Sequence, residues 1–450
     1  MKPTEALPHP PEWQTTSVGK AIELKRGISW SKDQEYPEQR EGTVPVIRIG
    51  NVQDRLELDD LVHLSGVKPD DLINKRVASD WSIIVGSNGN RARVGNAVLI
   101  DKDIEFLFAS FLVAAKPKDE SELSPKYFFR WLRTEPVQAY LSASAEGTTG
   151  LNNLSHSFFK AMHIPLPPPD EQAAIARILD AVDAAIDRTR EAVERARGLR
   201  KSLLADLLNR GIDKHGIIRS RLDTPDKFIR TSVGWVPSAW KISTLGEQFA
   251  IQTGFTINQD RHPRLNRRGY LRVANVQRDE LNLEEIKELE AKGPEFIPRK
   301  LEVDDLLVVE GHADRLQIGR CARVTPEAAG LTFQNHLFRL RATNETKPYF
   351  GCLWLNSEYA QKYWNAKCAT SSGLNTINQR MLKRMITPVP SPEEQEAISA
   401  IILTQRKHID ALKDKADQLL KLKQSLMHDL LTGKVRINNA QFDPGLEEAA

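Results

Sequence analysis

The stretch GLNNLSHSFFKAMHIPLPPPDEQAAI, residues 150–175, decides the fold because the chain contains it twice. Its counterpart is GLNTINQRMLKRMITPVPSPEEQEAI, residues 373–398, and 12 of the 26 positions are identical. Other landmarks repeat at shifts of 223 to 227 residues, such as IRIGNVQ (47–53) on LRVANVQ (271–277) and DWSIIVGSNGNRARVG (80–95) on DDLLVVEGHADRLQIG (304–319). A period of this length is too long for a solenoid. The chain therefore consists of two copies of one large module, arranged head to tail.

Each copy divides at its proline cluster. Before the cluster, short β-rich runs such as VPVIRI, WSIIVG and DLLVVE alternate with turn signals, and one helical stretch per copy is predicted, over Pro125–Ser142 and Lys347–Ala366. This mixture predicts an α+β globular head. After the cluster, charged, Ala- and Leu-rich sequence follows a Pro and an acidic residue, which predicts long helices over residues 170–209 and 392–432.

The apolar spacing of the two predicted helices follows the heptad pattern. In the second helix, eight of the ten positions 398, 402, 405, 409, 412, 416, 419, 423, 426 and 430 are apolar, and eight of the ten equivalent positions from Ile175 to Leu207 are apolar in the first. So narrow a stripe is typical of a coiled-coil seam. The predicted fold is thus α+β: two similar globular α/β heads joined by two long helices that form an antiparallel coiled coil.

Composition places the chain in the ordinary globular class, with 40% hydrophobic and 27% charged residues. The N-terminal sequence MKPTEALPHPPEW lacks the apolar segment of a signal peptide, and no apolar run approaches the roughly 18 residues of a membrane span, so we expect a cytoplasmic protein with no membrane contact. Cys321, Cys352 and Cys368 are an odd number without CxxC spacing, which argues against disulfides or a zinc site. The net charge of +3 means that any nucleic-acid surface is a local patch.

The sequence contains no recognisable catalytic motif. P-loop, HExxH, GxSxG, GxGxxG and amino-methyltransferase signatures are absent, and the nuclease-like matches around Pro69 and Pro225 are short and degenerate. His156, His312 and His336 are predicted to be core or surface residues. We therefore predict no catalytic residues, no metal site and no cofactor in this chain.

Both heads do carry side chains suited to reading base edges, because Asn and Gln pair with adenine and Arg with guanine in the major groove. The candidates in the first head are Arg48, Asn51 and Gln53, then Ser87, Asn88, Asn90, Arg91 and Arg93, then Thr148, Thr149, Asn152 and Asn153. Those in the second head are Arg272, Asn275 and Gln277, then His312, Asp314 and Arg315, then Ser371, Ser372, Asn375 and Asn378.

The same residue types also occur as turn and capping residues, and that interpretation stays open for each of them. The loops SNGNRA and HADRLQ differ although their flanking strands agree, as expected if one scaffold serves two targets. Candidate phosphate contacts, which position a protein on DNA without reading sequence, are Lys160, Arg219, Arg221, Arg264, Arg267, Arg268, Lys383 and Arg384.

GTTGLNNL with IPLPPPDEQ, TSSGLNTI with TPVPSPEEQ, and GWVPSAWKISTLGE (234–247) together resemble the specificity subunit (HsdS type) of type I restriction-modification systems. The resemblance extends from about Trp13 to about Gly433, although the first copy begins PHPPEWQTTSVGK and lacks the GWxP of the second. It implies that each head is a target recognition domain for one half of a bipartite site in double-stranded DNA. It also implies that the helices set the spacing and bind two methyltransferase subunits, which restriction subunits join. Methyl transfer, expected at adenine N6, would then belong to the partners.

On this basis we expect five segments: recognition domain 1 (1–168), spacer helix 1 (169–212), a linker with recognition domain 2 (213–390), spacer helix 2 (391–433) and a C-terminal tail (434–450). Three other classes remain open. A stand-alone enzyme would modify DNA alone, and a coiled-coil protein–protein scaffold would show no sequence-selective DNA binding. A specificity module of a fused type II restriction-methylation enzyme would be encoded together with catalytic motifs.

The helix pair predicts a mechanical test. Two heads on one face of a duplex lie one helical turn, about 34 to 36 Å, or a multiple apart, and a 40-residue helix is about 60 Å long. We expect the insertion of one heptad into both helices to lengthen the DNA spacer that is tolerated between half-sites. Binding-site selection measures the spacer, and an unchanged spacer would refute this role of the helices.

Overall fold

The structure is a computed structural model that describes residues 7–101, 105–148, 150–371 and 374–437. These residues form two compact units. The first unit comprises the described residues up to Arg190 and those from Asp414 onward, and the second comprises Glu191–Lys413. Each unit therefore contains one head and one segment of each long helix.

The first head contains the following elements. Its strands are β1 (Gln14–Ser17), β2 (Ile22–Arg26), β3 (Glu35–Tyr36), β4 (Val44–Ile47), β5 (Val62–Leu64), β6 (Ser82–Val85), β7 (Ser87–Asn88), β8 (Ala97–Leu99), β9 (Leu107–Phe108), β10 (Leu112–Pro117), β11 (Glu146–Thr148), β12 (Leu151–Asn153) and β13 (His163–Leu166). Its helices are α1 (Val18–Ala21), α2 (Pro69–Asn74), α3 (Pro125–Leu132), α4 (Glu135–Ala143) and α5 (His156–Ala161), and the long helix α6 (Pro169–Arg210) follows.

A central antiparallel sheet in the order β2-β10-β6-β8 organises the first head. All four residues of β6 are buried, because the sheet is covered on both faces. Ile84 packs in a cluster with Tyr127, Phe128 and Trp131 of α3, whereas Ile83 lies in a second cluster with residues of β4 and β9. Alternate side chains of one strand thus join two cores.

The second head contains the corresponding elements. Its strands are β14 (Phe228–Thr231), β15 (Gly234–Pro237), β16 (Lys241–Thr244), β17 (Phe249–Thr253), β18 (Arg267–Leu271), β19 (Val276–Gln277), β20 (Glu280–Leu281), β21 (Lys287–Glu290), β22 (Leu306–Val309), β23 (Gly311–His312), β24 (Cys321–Arg323), β25 (Thr332–Phe333), β26 (Leu337–Ala342), β27 (Ala369–Ser371), β28 (Leu374–Thr376) and β29 (Ile386–Val389). Its helices are α7 (Leu245–Gln248), α8 (Gly293–Phe296), α9 (Pro348–Leu355), α10 (Glu358–Lys367) and α11 (Gln379–Lys383), and the long helix α12 (Pro392–Leu431) follows.

The sheet topology confirms the tandem repeat. The central sheet of the second head has the order β17-β26-β22-β24, which matches β2-β10-β6-β8 strand for strand. The pair β1-β13 corresponds to β16-β29, and the small sheet β11-β12-β7 corresponds to β27-β28-β23. The second unit also has the hairpin β14-β15, formed by the GWVP sequence that the first copy lacks.

One helix prediction was wrong in both heads. The stretches predicted as single helices are each two helices, α3 and α4 in the first head, and α9 and α10 in the second. Pro136 lies in the first turn of α4, where its missing N–H costs nothing but a continuous helix would lose a hydrogen bond. In the second head, the Ser357 hydroxyl caps α10 by accepting a hydrogen bond from the Ala360 N–H (3.2 Å).

The long helices confirm the predicted seam. All ten heptad positions are buried or half-buried in both α6 and α12. In the first unit, Asp183 of α6 pairs with Lys423 of α12 at 2.6 Å. In the second unit, Val193 and Ala196 pack against Ile409. Within the first unit the start of α6 also pairs with the chain just after α12, Glu171 with Arg436, and within the second unit Leu207 near the end of α6 packs in one cluster with Ile398 near the start of α12. The partner's number therefore falls as the number along α6 rises within each unit, so the two helices run antiparallel.

Glu394 and Gln395, from the PEEQ sequence, tie the start of α12 to the rest of the second unit. The Glu394 carboxylate accepts hydrogen bonds from the Arg219 guanidinium (2.6 and 3.2 Å), the Trp240 indole (3.1 Å) and the Ile212 N–H (3.0 Å). The Gln395 amide accepts from the N–H of Lys347, just before α9, and donates to the Pro390 carbonyl. We call the arrangement of an acceptor glutamate, an arginine and a tryptophan the glutamate clasp.

The first unit contains the same clasp. Glu171 accepts hydrogen bonds from the Arg436 guanidinium (2.8 and 2.9 Å), the Trp13 indole (3.2 Å) and the Ile437 N–H (3.2 Å). Gln172 binds the chain just before α3 through the Ser124 N–H (2.8 Å). The repeated Glu-Gln sequence is therefore explained by its structural role at the start of each long helix.

A glycine in the left-handed region ends each long helix beside a clasp. Gly211 follows α6 with φ of 62°, and a Cβ there would lie 2.2 Å from Oε1 of Glu394. Gly433 follows α12 with φ of 64°, and a Cβ there would lie 2.3 Å from Pro10. Both the backbone conformation and the close approach require glycine.

Within the described residues, the three cysteines are unpaired, with Cys321 and Cys352 buried and Cys368 half-buried. The helices in this part of the chain include none that is both long enough and apolar enough to cross a membrane.

The clasp predicts a large effect of a single substitution. Arg219→Ala leaves the Glu394 carboxylate, whose side chain is 11% exposed, without its cation. We expect a loss of about 3 to 5 kcal/mol in the free energy of unfolding of the second unit, as for other buried pairs that lose one partner. Urea unfolding measures the loss, and Arg230→Ala in the exposed strand β14 serves as the control. Equal stability of the two variants would contradict a stabilising clasp.

Candidate nucleic-acid interface

Two of the three predicted residue sets of the first head meet in the small sheet β11-β12-β7. Strand pairing places Asn88 opposite Asn152 and Ser87 opposite Asn153. The Ser87 hydroxyl donates a hydrogen bond to the side-chain oxygen Oδ1 of Asn153, and the side-chain amide of Asn152 donates to the Gly89 carbonyl at 3.0 Å. The loop after β6 is thereby held on the strand β12.

The remaining set of the first head adjoins this sheet. The guanidinium of Arg93, in the 3₁₀ turn Arg91–Arg93, donates hydrogen bonds to the Val52 carbonyl (2.8 Å) and to the Gln53 side chain (3.2 Å). Gln53 in turn donates to the Gly50 carbonyl at 2.7 Å. All three predicted sets of the first head therefore contribute to one polar surface.

The second head brings its sets together by equivalent contacts. His312 lies opposite Asn375 in the sheet β23-β28-β27, and the Asn375 amide donates to the Ala313 carbonyl at 2.9 Å. Arg320 connects the loop after β18 to this surface by donating to the Val273 carbonyl at 2.7 Å. The two polar surfaces thus share one backbone architecture, which positions different side chains.

The burial of Asn51 and Asn275 contradicts the prediction that these two residues read bases. Each was a candidate base reader, but each side chain is 3% exposed. Asn51 accepts the Arg48 N–H (2.8 Å) and donates to the Glu57 carbonyl (2.9 Å), and Asn275 accepts the Arg272 N–H (2.8 Å) and donates to the carbonyls of Asn282 and Glu285. A buried amide with these partners cannot reach a base while the loop keeps this conformation, so both residues hold their loops.

Several other candidates have capping roles. Asn90 and Asp314 cap matching 3₁₀ turns by accepting the N–H of Ala92 (3.0 Å) and Leu316 (2.9 Å). Asn378 caps α11 by accepting the Met381 N–H at 2.9 Å. These exposed caps are what the turn interpretation of the sequence predicted, and they leave the remaining polar groups of the three side chains at the surface.

The matching residues Arg91 and Arg315 differ in their partners. The Arg91 guanidinium donates to the carbonyls of Ser142 (2.8 Å) and Ala143, at the end of α4. Arg315 is exposed, and among the described residues its guanidinium has no hydrogen bond or ion pair. Of the two, Arg315 has the freer guanidinium, so it is the better candidate for a contact with guanine.

Arg48 and Arg272 have their charges balanced within the chain. Arg48 pairs with Asp60 at 3.0 Å, and Arg272 pairs with Glu285 at 2.8 Å, where the guanidinium holds the pKa of Glu285 below its usual value. Gln277 is exposed, and its side chain donates to the Ala274 carbonyl. Thr148 and Ser371 are the last residues of β11 and β27, whereas Thr149 and Ser372 lie outside the described residues.

The candidate phosphate contacts differ in their surroundings. Arg219 is wrong as a phosphate contact because the glutamate clasp binds its guanidinium. Arg221 and Arg268 lie over the rings of Trp235 and Phe296, at 4.9 and 4.5 Å. Arg221 is exposed, as are Lys160, Arg264, Arg267, Lys383 and Arg384.

The first head has a groove of about 620 Å³ beside its polar surface. Trp30, Arg48, Asp60 and Phe111 are among the lining residues. Phe111 is 48% exposed, and its carbonyl accepts the N–H groups of Gly86 (2.8 Å) and Ser87 (3.0 Å). Sequence reasoning missed Phe111 because it looked only for polar side chains in loops.

In the first unit, ion pairs attach the head to the long helices. Arg130 of α3, 6% exposed, donates to Asp180 and Asp183 of α6, both at 2.5 Å, and Lys423 of α12 also binds Asp183. Burial alone would raise the pKa of Asp183, but Arg130 and Lys423 outweigh it and hold this pKa below its usual value. Here the head supplies the cation and α6 the acids.

The second unit reverses these charges. Asp279 lies at the turn of the hairpin β19-β20, two residues after Gln277, with φ of 64°. Arg200 of α6 binds its carboxylate at 2.6 Å, Arg406 of α12 lies at 3.7 Å, and the Tyr349 hydroxyl donates to it at 3.0 Å. Burial raises the pKa of Asp279 despite the opposing arginines. The long helices therefore hold the hairpin β19-β20 of the second head directly.

Comparison with known proteins gives consistent results. A family model described as the type I restriction modification DNA specificity domain matches residues 10–195 and again residues 237–421. The StySPI specificity subunit of Salmonella potsdam is 24% identical, over 98% of this chain and 94% of the relative. The EcoKI specificity subunit of Escherichia coli (strain K12) is 21% identical, over 95% and 89%.

Solved structures show the same fold. The S subunit from M. genitalium superposes with a TM-score of 0.52 at 18% identity, covering 96% of this chain and 99% of that chain. A chain from a study of type I R-M complex assembly gives a TM-score of 0.57 at 16% identity, covering 96% and 100%.

The guanidinium of Arg315, which has no hydrogen bond or ion pair among the described residues, leads to a prediction. We expect Arg315→Ala to cost about 1 to 3 kcal/mol of DNA-binding free energy at one base position. Arg91→Ala should instead lower the stability of the loop that contains it, because the Arg91 guanidinium binds carbonyls at the end of α4. Competition binding with a set of single-base target variants measures both. An equal loss on every sequence would identify Arg315 as a backbone contact.

Proposed function

This chain belongs to the family of type I restriction-modification DNA specificity subunits, as the double family match shows, and from that premise we propose that its two heads read the two halves of a bipartite, asymmetric DNA target. One observation carries the proposal. The sheets β11-β12-β7 and β27-β28-β23 have the same topology, but Asn88, Asn90 and Arg91 on one correspond to His312, Asp314 and Arg315 on the other. One scaffold with two sets of side chains is suited to two different half-sites.

The contacts within each surface support base reading. The His312 Nδ1 accepts the Asp314 N–H at 2.9 Å, so Nε2 carries the ring proton and is a donor at the surface. Such a donor suits the O6 or N7 acceptor of guanine in the major groove. Among the remaining candidates, Gln53, Asn88, Asn90 and Gln277 keep polar groups at the surface, and we propose them as further readers with Arg48, Arg93 and Arg272.

We also propose that this chain supplies recognition and that partner subunits supply the chemistry. The sequence carries none of the ATP-binding or methyltransferase signatures that methylation and translocation require. Two methyltransferase subunits and restriction subunits would bind to it, with adenine N6 as the methylated position. Mixed-charge outer faces of the long helices, over 188–201 and 407–424, are the proposed docking surfaces, and each carries an exposed leucine, Leu199 or Leu422.

Selection from a random duplex library tests the proposal with the full-length chain. The expected result is a motif of two short, unlike half-sites at a fixed separation. Arg315→Ala provides the internal control, because it should change one half-site and leave the other intact. A single contiguous motif, or no enrichment, would overturn the proposal. Co-purification of methyltransferase subunits with the tagged chain tests the proposed partners.

A further inference from the structure

Glu310, which is not among the candidate base readers predicted from the sequence, lies at the edge of the second polar surface. We propose that Glu310 is a specificity-determining residue of the second head, which accepts a hydrogen bond from the N4 amine of a cytosine in the major groove, and that His336 is its positioning residue. This inference rests on the proposed function and adds one base to it.

The backbone of Glu310 is fixed from both sides. Its N–H donates to the His336 carbonyl at 3.0 Å, and its carbonyl accepts the Ile377 N–H at 2.9 Å. Glu310 immediately precedes β23, and it lies two residues before His312. Because side chains alternate along an extended strand, we expect Glu310 and His312 to share a face, the face that carries the candidate readers.

The Glu310 side chain has polar capacity that the chain does not use. It is 24% exposed, and the His336 Nδ1 lies 3.6 Å from its Oε2. Among the described residues, no donor comes within hydrogen-bonding distance of this carboxylate. Burial raises the pKa of Glu310, and His336 opposes that shift. The carboxylate reaches the surface and keeps its acceptor capacity, so it is available to an amine of a bound ligand.

The first head shows that the fold does not need this carboxylate. Gly86 occupies the matching position, where its N–H donates to the Phe111 carbonyl (2.8 Å) and its own carbonyl accepts the Leu154 N–H (2.7 Å). The backbone hydrogen bonds are the same as at Glu310, but residue 86 has no side chain and residue 111 has an apolar one. The shared backbone therefore forms without the Glu310–His336 pair, which leaves that pair free to serve recognition.

The chemistry of a carboxylate selects cytosine. Guanine and thymine present acceptors at the corresponding positions of the major groove, which repel a carboxylate. Adenine presents its N6 amine next to the N7 acceptor, so one carboxylate oxygen would gain a hydrogen bond while the other faced a lone pair. Cytosine presents its N4 amine with no acceptor on the same base and is therefore the best partner.

The experiment compares Glu310→Gln with wild type by selection of full-length chain on random duplexes. Glutamine both donates and accepts, and that combination suits adenine. We expect one position of one half-site to be cytosine for wild type and to shift toward adenine for Glu310→Gln, by on the order of tenfold in relative affinity. Glu327→Gln, on an exposed turn of the same head, is the matched control and should leave the motif unchanged.

A second pair of variants tests the positioning role. His336→Ala should weaken the cytosine preference at that same position without creating a new one, and His336→Lys should retain it because the lysine places a cation beside Glu310. Thermal unfolding equal to wild type shows that the fold is intact. If wild type selects a bipartite motif that Glu310→Gln does not alter, this inference is wrong and the proposed function stands. If wild type selects no bipartite motif, the proposed function itself fails.

Discussion

The two glutamate clasps are the constraint on which the rest of the structure depends. A carboxylate removed from water must be surrounded by donors, and Glu171 and Glu394 obtain theirs from three distant parts of the chain. In each unit these parts are the tryptophan before the first strand of the repeat, the arginine after the end of the other long helix, and the backbone beside that arginine. In each unit, one buried charge thus fixes where the head begins, where one long helix begins and where the other long helix ends.

The ion pairs that attach each head to the long helices have opposite charges in the two units. Arg130 of the first head meets two aspartates of α6, whereas Asp279 of the second head meets arginines of both long helices. Position 183 is Asp and its counterpart 406 is Arg, so the charge reversal is visible at equivalent sites. Such a reversal means that each head is electrostatically matched to its own helix segments. The duplicated module has diverged in its ion pairs while keeping its topology.

The recognition surfaces show the same separation between backbone and side chain. Asn51 and Asn275 occupy matching positions, are buried to the same degree and bind matching backbone groups. Arg91 and Arg315, or Gly86 and Glu310, also match in position but differ in chemistry or in partners. Asn51 and Asn275, which agree in residue type and in partners, hold their loops. Comparison of the two copies therefore distinguishes positions whose contacts are shared from positions whose side chains or partners have diverged.

The tandem modules, the long helices with their antiparallel seam and the family resemblance could be predicted from the sequence alone. They depend on local periodicity or on the comparison of one part of the sequence with another. The roles of Asn51, Asn275 and Arg219 and the surroundings of Glu310 were decided by the tertiary structure. The two asparagines are defined by their burial, and Arg219 and Glu310 by partners distant in the chain, Glu394 and His336. An amide in a loop looks the same in sequence whether it faces solvent or the backbone of its own loop, and only packing distinguishes the two.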